Sequence, residues 1–199
     1  MRFKIRTKLI TAFLAIIFPF IVLVGVVAIY KQNTIIMGIV TISDMIEERD
    51  AVAKLQIAFD RVIMSGNDYI ITAGDKRYID DFQKGSENVE RLLESAEAIL
   101  GKMEREPLYQ IKEKREMLKD AKVSWRNIKE ISLKIFEIPN PADNKDAARL
   151  VEEMDYKWAY PAIESLNKWN KISYEEFWGA VMGMGREWRR AWVIMIAGA

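Results

Sequence analysis

The side chains best suited to chemistry in this chain are arginines set among aromatic rings: Arg61, Trp125, Arg126, Tyr156 and Trp158. A guanidinium fork holds a carboxylate through two parallel hydrogen bonds, and aromatic walls favour flat rings and cations, so this set would suit an organic acid, an amino acid or an aromatic acid. Trp125 and Trp158 also fit apolar core seams, where they would serve packing instead. Covalent and redox catalysis have little to work with. The chain has no cysteine and no histidine, which removes thiolate nucleophiles, imidazole bases, haem ligands, disulfides and nearly every zinc site. Di-iron bundles also need histidine beside their carboxylates. No metal, no cofactor and no enzymatic activity are therefore expected. The adjacent pairs Glu152 with Glu153 and Glu175 with Glu176 point in different directions around a helix and read as solvated faces. Arg115 and Lys122 lie near a seam and are expected to meet water or a partner chain. A net charge of +1 supplies no basic field for nucleic acid, so no such partner is expected.

The elements that must position these residues are helices. Between two apolar ends the hydrophobic residues recur at steps of three and four, and almost no strand signal exists. Tyr78, Phe82, Gly85, Val89, Leu92, Ala96, Ile99 and Met103 make one narrow seam. Leu108, Ile111, Leu118, Trp125, Ile128 and Ile135 make a second. A third runs through Val151, Met154, Trp158, Ala162, Leu166, Trp169, Phe177, Ala180 and Met184. The breaks between seams are short. Gly74 suits a helix C-terminus and Asp75 an N-cap, Pro107 suits a helix start, and residues 138–143 hold two prolines and an asparagine. Four helices follow, over about residues 33–72, 76–102, 107–137 and 142–190, and short connections make neighbours antiparallel. The expected fold is all-α, an up-down-up-down antiparallel four-helix bundle. Pro161 should break one backbone hydrogen bond and bend the last helix. Gly179 and Gly183 are spaced for close approach of another helix, or for local flexibility.

The ends of the chain read differently from its middle. Residues 9–30 carry no charge and, at about 1.5 Å per residue, cover roughly the 30 Å of a hydrocarbon core. Arg2, Lys4, Arg6 and Lys8 precede this run, so the positive-inside bias places residues 1–8 in the cytoplasm and residues 31–190 outside. A cleaved signal peptide is the alternative, with Val26 and Ala28 near a plausible cleavage site. Residues 191–199 are again uncharged and apolar but about half the length needed to cross. With Trp188 and Trp192 beside Arg186, Arg189 and Arg190, they read as the start of a truncated second span, or as a tail docked on the bundle. Counting back from the two distal turns places Arg61, Trp125, Arg126, Tyr156 and Trp158 at one height, roughly 20 Å below the tip.

The run Asn67, Asp68, Tyr69, Ile70, Ile71, Thr72, Ala73, Gly74, Asp75, followed by Tyr78 and Phe82, together with the basic N-terminus entering an apolar span, resembles the extracytoplasmic four-helix-bundle sensor of bacterial methyl-accepting chemotaxis receptors and of some sensor histidine kinases. That resemblance implies a homodimeric receptor of the bacterial inner membrane with its sensor bundle in the periplasm. Asn67, Tyr69, Gly74 and Asp75 would form its distal turn, and its partner would be a small molecule or a periplasmic binding protein. It further implies signal transduction by a small piston or rotation of the first and last helices, most readily for chemotaxis. The output domain such receptors carry is not in this sequence, so chemoreceptor and kinase stay open. So does the rival class, a membrane-tethered structural or interaction bundle with no small-molecule ligand.

Overall fold

The computed structural model describes the backbone of residues 2–104 and 110–197, and side chains from residue 17 to 190 apart from 19, 20, 23, 27, 28, 30, 31, 33–35, 105–109, 187 and 188. Those residues are helical almost throughout, with no strand among them: α1 (Arg2–Ile71), α2 (Arg77–Met103), α3 (Ile111–Phe136), a 3-10 turn (Pro141–Asp143), α4 (Lys145–Glu153), a π turn (Met154–Ala159) and α5 (Tyr160–Ala197). The basic residues ahead of the expected span, much of the span itself at 9–30, Pro107, Leu108, Trp188, Trp192 and the tail 191–199 lie outside the residues described with side chains. Among the described residues no helix is long and apolar enough to cross a membrane. The chain divides into two compact units, residues 1–42 with 183–199, and residues 43–182.

The larger unit is a four-helix bundle, and its contacts fix the direction of each helix. Glu47 meets Lys102 and Val62 meets Gly85, so α2 runs opposite to α1. Glu97 with Lys122 and Glu90 with Lys129 set α3 opposite to α2. Glu48 with Ser173 and Gln56 with Asn167 set α5 opposite to α1. Phe59 with Trp125 and Tyr69 with Phe136 show α3 parallel to α1. The expected up-down-up-down order therefore holds in this unit. The three seams largely face inward: Phe82, Val89, Leu92, Ala96, Leu118, Trp125, Ile128, Ile135, Met154, Ala162, Leu166 and Trp169 are buried together with Val52, Leu55, Phe59 and Val62 of α1. Each such large side chain contributes about 1.5–3 kcal/mol on burial. Close packing is tightest at Gly85, where a Cβ would stand 2.7 Å from Val62 Cγ2. Only glycine lets α1 and α2 meet there.

Helix ends follow from local sequence, with one shift from expectation. α1 ends in paired bonds, Gly74 N–H to the Tyr69 carbonyl at 2.8 Å and Ala73 N–H to the Ile70 carbonyl at 3.0 Å, the pattern that closes a helix through a left-handed residue. The first left-handed residue is Ala73, with φ 58°, and Gly74 follows at φ 95°. Asp75 then accepts the Arg77 backbone N–H at 3.0 Å and its guanidinium, and the Arg77 side chain holds the Asp75 carboxyl below its ordinary range. The last helix starts later than expected. Asn144 caps α4 by accepting the Asp146 and Ala147 N–H groups. Pro161 is accommodated by more than a simple bend. A π turn of six residues ends just before it, so the chain absorbs the missing N–H with one extra residue in the preceding turn.

In the smaller unit Gly38 is the tight point, since a Cβ there would lie 2.5 Å from Met184 Sδ. At Gly179 and Gly183 a Cβ would meet none of the described atoms within 4 Å.

Candidate functional site

The feature that sequence reasoning missed is a charged layer inside the bundle. Lys114 of α3 is completely buried, and its ammonium lies 2.7 Å from Glu48 of α1 and 2.5 Å from Glu176 of α5. Glu48, 1% exposed, also accepts the Trp169 indole N–H at 2.5 Å and the Ser173 hydroxyl at 2.8 Å. Glu176 accepts the Gln110 backbone N–H at 2.7 Å, so this α5 carboxylate caps the start of α3 where the helix dipole is positive. One lysine thus joins the first and last helices. Removing an ion from water costs several kcal/mol even after relaxation, and these charges are tolerable because each has charge-assisted hydrogen bonds. The expectation of a solvated face fails at Glu176, because this position turns inward onto Lys114. Arg115 is exposed and pairs with Glu104 at 2.6 Å, and Lys122 pairs with Glu97 at 2.6 Å.

Beside this layer Arg49 packs its guanidinium over Tyr174 at 5.3 Å and Phe177 at 5.7 Å. Such cation–π contacts extend the α1–α5 seam.

The residues first singled out as a binding set do not converge. Trp125 is core, edge-on to Phe59 at 5.9 Å and stacked on Phe82 at 6.5 Å. Arg126, one residue on and about 100° around the helix, is exposed. Arg61 is exposed on the outer side of α1. Tyr156 is 71% exposed and stacks on Tyr160 at 6.0 Å. Of the set, Trp158 lines a concave surface, a groove of about 350 Å³ between α3 and the π turn with α5, together with Asp120, Ser124, Lys157, Pro161, Glu164 and Lys168. Lys157 Nζ lies 5.2 Å over its ring. The groove brings Trp158 beside Ser124, the neighbour of Trp125, while Arg61, Arg126 and Tyr156 point elsewhere.

The distal-turn residues do gather. Tyr69 is buried and donates its hydroxyl to the Phe136 carbonyl at 3.2 Å, with the two rings edge-on at 5.0 Å. Gly74 lies under that same Tyr69 ring. Asn67 reaches the π turn, where its amide acts on Asp155. Among the described residues no group of histidine, cysteine or carboxylate side chains is arranged to hold a metal ion.

No protein-family model, curated protein or solved structure matches this chain.

Proposed function

We propose that this chain is the sensing and relaying portion of a bacterial transmembrane receptor, most readily a chemotaxis receptor, anchored in the inner membrane by residues 9–30 with its bundle outside. The observation that carries the reading is the ionic layer: Lys114 couples α1 to α5 through Glu48 and Glu176, so a shift of one outer helix is felt by the other. Two discrete arrangements of such a layer are what a relay requires, because packed charged contacts exchange partners instead of stretching. The uncharged run behind four basic residues supports the anchor and its orientation. An outward row of Ile46, Ile57, Met64 and Ile71 on α1, all more than half exposed, supports a homodimer, since a second copy would remove this surface from water. A small organic or aromatic acid is the proposed stimulus, taken in the groove at Trp158. The reading includes no enzymatic step.

The test uses the full chain in lipid nanodiscs, screened for thermal stabilisation against amino acids, organic acids and aromatic acids. A saturable rise in melting temperature that is lost in Trp158→Ala supports a ligand sensor. If no compound in these classes stabilises the chain, the structural or interaction bundle takes its place.

A further inference from the structure

The π turn carries a titratable group that the ionic layer does not use. Asp155 lies in this turn, and its own carbonyl accepts the Tyr160 N–H that closes the turn. Its side chain meets Asn67 of α1. Asp155 Oδ1 and Asn67 Oδ1 are both buried, and neither accepts a hydrogen bond. Two buried acceptors without a donor on the α1 side of one turn are costly, because each forfeits its hydration for nothing. A single proton resolves both. Placed on the carboxyl, it makes Asp155 a donor to the Asn67 amide oxygen, while the other carboxyl oxygen accepts from the Asn67 NH2 group.

We propose that Asp155 and Asn67 form a proton-binding site: a proton taken from water onto the Asp155 carboxyl closes an acid–amide pair that ties α1 to the π turn, and its release opens that contact. Burial raises the Asp155 carboxyl above its ordinary range, and the Asn67 amide lowers it only in part. The charged groups on the packed elements are engaged elsewhere or face water. On the same turn Lys157 pairs with Glu153 at 3.2 Å, and Glu152 of α4 is exposed. On α3 Lys134 pairs with Glu130 at 2.6 Å. On α1 Arg61 is exposed, and Asp68 is half-buried one residue beyond Asn67. π turns are commonly placed where a helix must change register, so this contact sits at a yielding point of the chain. As a stimulus for the receptor proposed above the proton rests on that reading; as a binding site it does not.

The sign of the pH dependence is opposite to that of an ordinary paired carboxylate. A folded-state affinity for protons above that of the unfolded chain stabilises most at low pH, and the contribution is lost as pH rises from about 4 through the folded midpoint. In the full chain, carbon NMR of the side-chain carboxyls, assigned through the backbone, should give Asp155 a midpoint above the ordinary value of about 3.9. A midpoint at or below that value overturns the proposal. Urea unfolding of wild type and Asp155→Asn across the same range gives a second reading, since the variant amide keeps its bonds at every pH. Wild-type stability relative to the variant should fall as pH rises; a constant difference overturns the proposal, and should the variant not fold, the wild-type titration decides alone. Spin labels on cysteines placed at Asp60 and Lys171 then separate site from stimulus. A distance that changes across the midpoint in wild type and stays fixed in Asp155→Asn supports the stimulus, and a fixed distance in both refutes it while the titration still decides the site.

Discussion

Two layers of the same bundle are built on opposite principles. Near the α1–α2 turn the helices meet through rings: Phe59, Phe82, Trp125, Tyr69 and Phe136 pack edge-on or stacked at 5.0–6.5 Å. Toward the α2–α3 connection they meet through charge, with Lys114 between Glu48 and Glu176 and with Trp169 and Ser173 completing the hydrogen bonds. The aromatic layer is held mainly by burial, which is non-directional, with a modest added preference for edge-on rings. The ionic layer is directional. It contributes little net stability but strongly disfavours wrong registers, since any slip leaves a buried charge alone. The first layer holds the bundle together, and the second says where α1 and α5 must stand.

The comparison breaks most sharply at Lys114. Lys114→Met leaves two buried carboxylates without their cation and should cost about 3–5 kcal/mol in urea unfolding. Truncating the other layer, in Phe82→Ala, should cost about 3 kcal/mol through the cavity it opens. A matched change sharpens the contrast: Trp169→Phe removes a donor to a buried carboxylate, whereas Trp125→Phe removes an N–H that acts only on the half-exposed Glu90 carboxylate. The first should be the more destabilising by about 1.5–3 kcal/mol, measured as the difference between the two midpoints. Replacing the charged layer whole, in Glu48→Leu with Lys114→Met and Glu176→Leu, should leave stability within about 1 kcal/mol of wild type. The relief of desolvation is then offset by Trp169 and Ser173 losing their acceptor. Outside both layers, Lys129→Ala breaks a half-exposed pair with Glu90 and should cost under about 1 kcal/mol.

The aromatic layer was legible in the sequence through Phe82 and Trp125, though not through Phe59 or Phe136, and the ionic layer was not, for one reason. Period reading counts apolar residues, and Phe82, Val89, Trp125 and Ile128 all announce their faces. Lys114 falls midway between Ile111 and Leu118, Ser173 falls between Trp169 and Phe177, and Glu48 falls between Met45 and Val52. Each occupies a seam position, and each reads as a gap. The usable signal was that the apolar rows of α3 and α5 lapse at one level, at Lys114 and Ser173, opposite Glu48 on α1. The turn at residues 73–75 was readable because Gly74 and Asp75 have few other uses, although the left-handed residue that ends the helix is Ala73. The proline in the last helix predicted a bend, but a π turn depends on how neighbouring side chains such as Met154 and Ser132 pack, at 3.4 Å here, and no local pattern carries that. The arginines failed as a set because height along a bundle follows from residue count, whereas direction follows from a seam whose phase a single residue can change.

The most direct test is a double-mutant cycle between Glu48→Gln and Glu176→Gln, two positions on different helices that both pair with Lys114. Coupling of α1 to α5 through that lysine predicts a non-additive free energy of about 1–3 kcal/mol in urea unfolding of the full chain. Additivity within about 0.3 kcal/mol would contradict it.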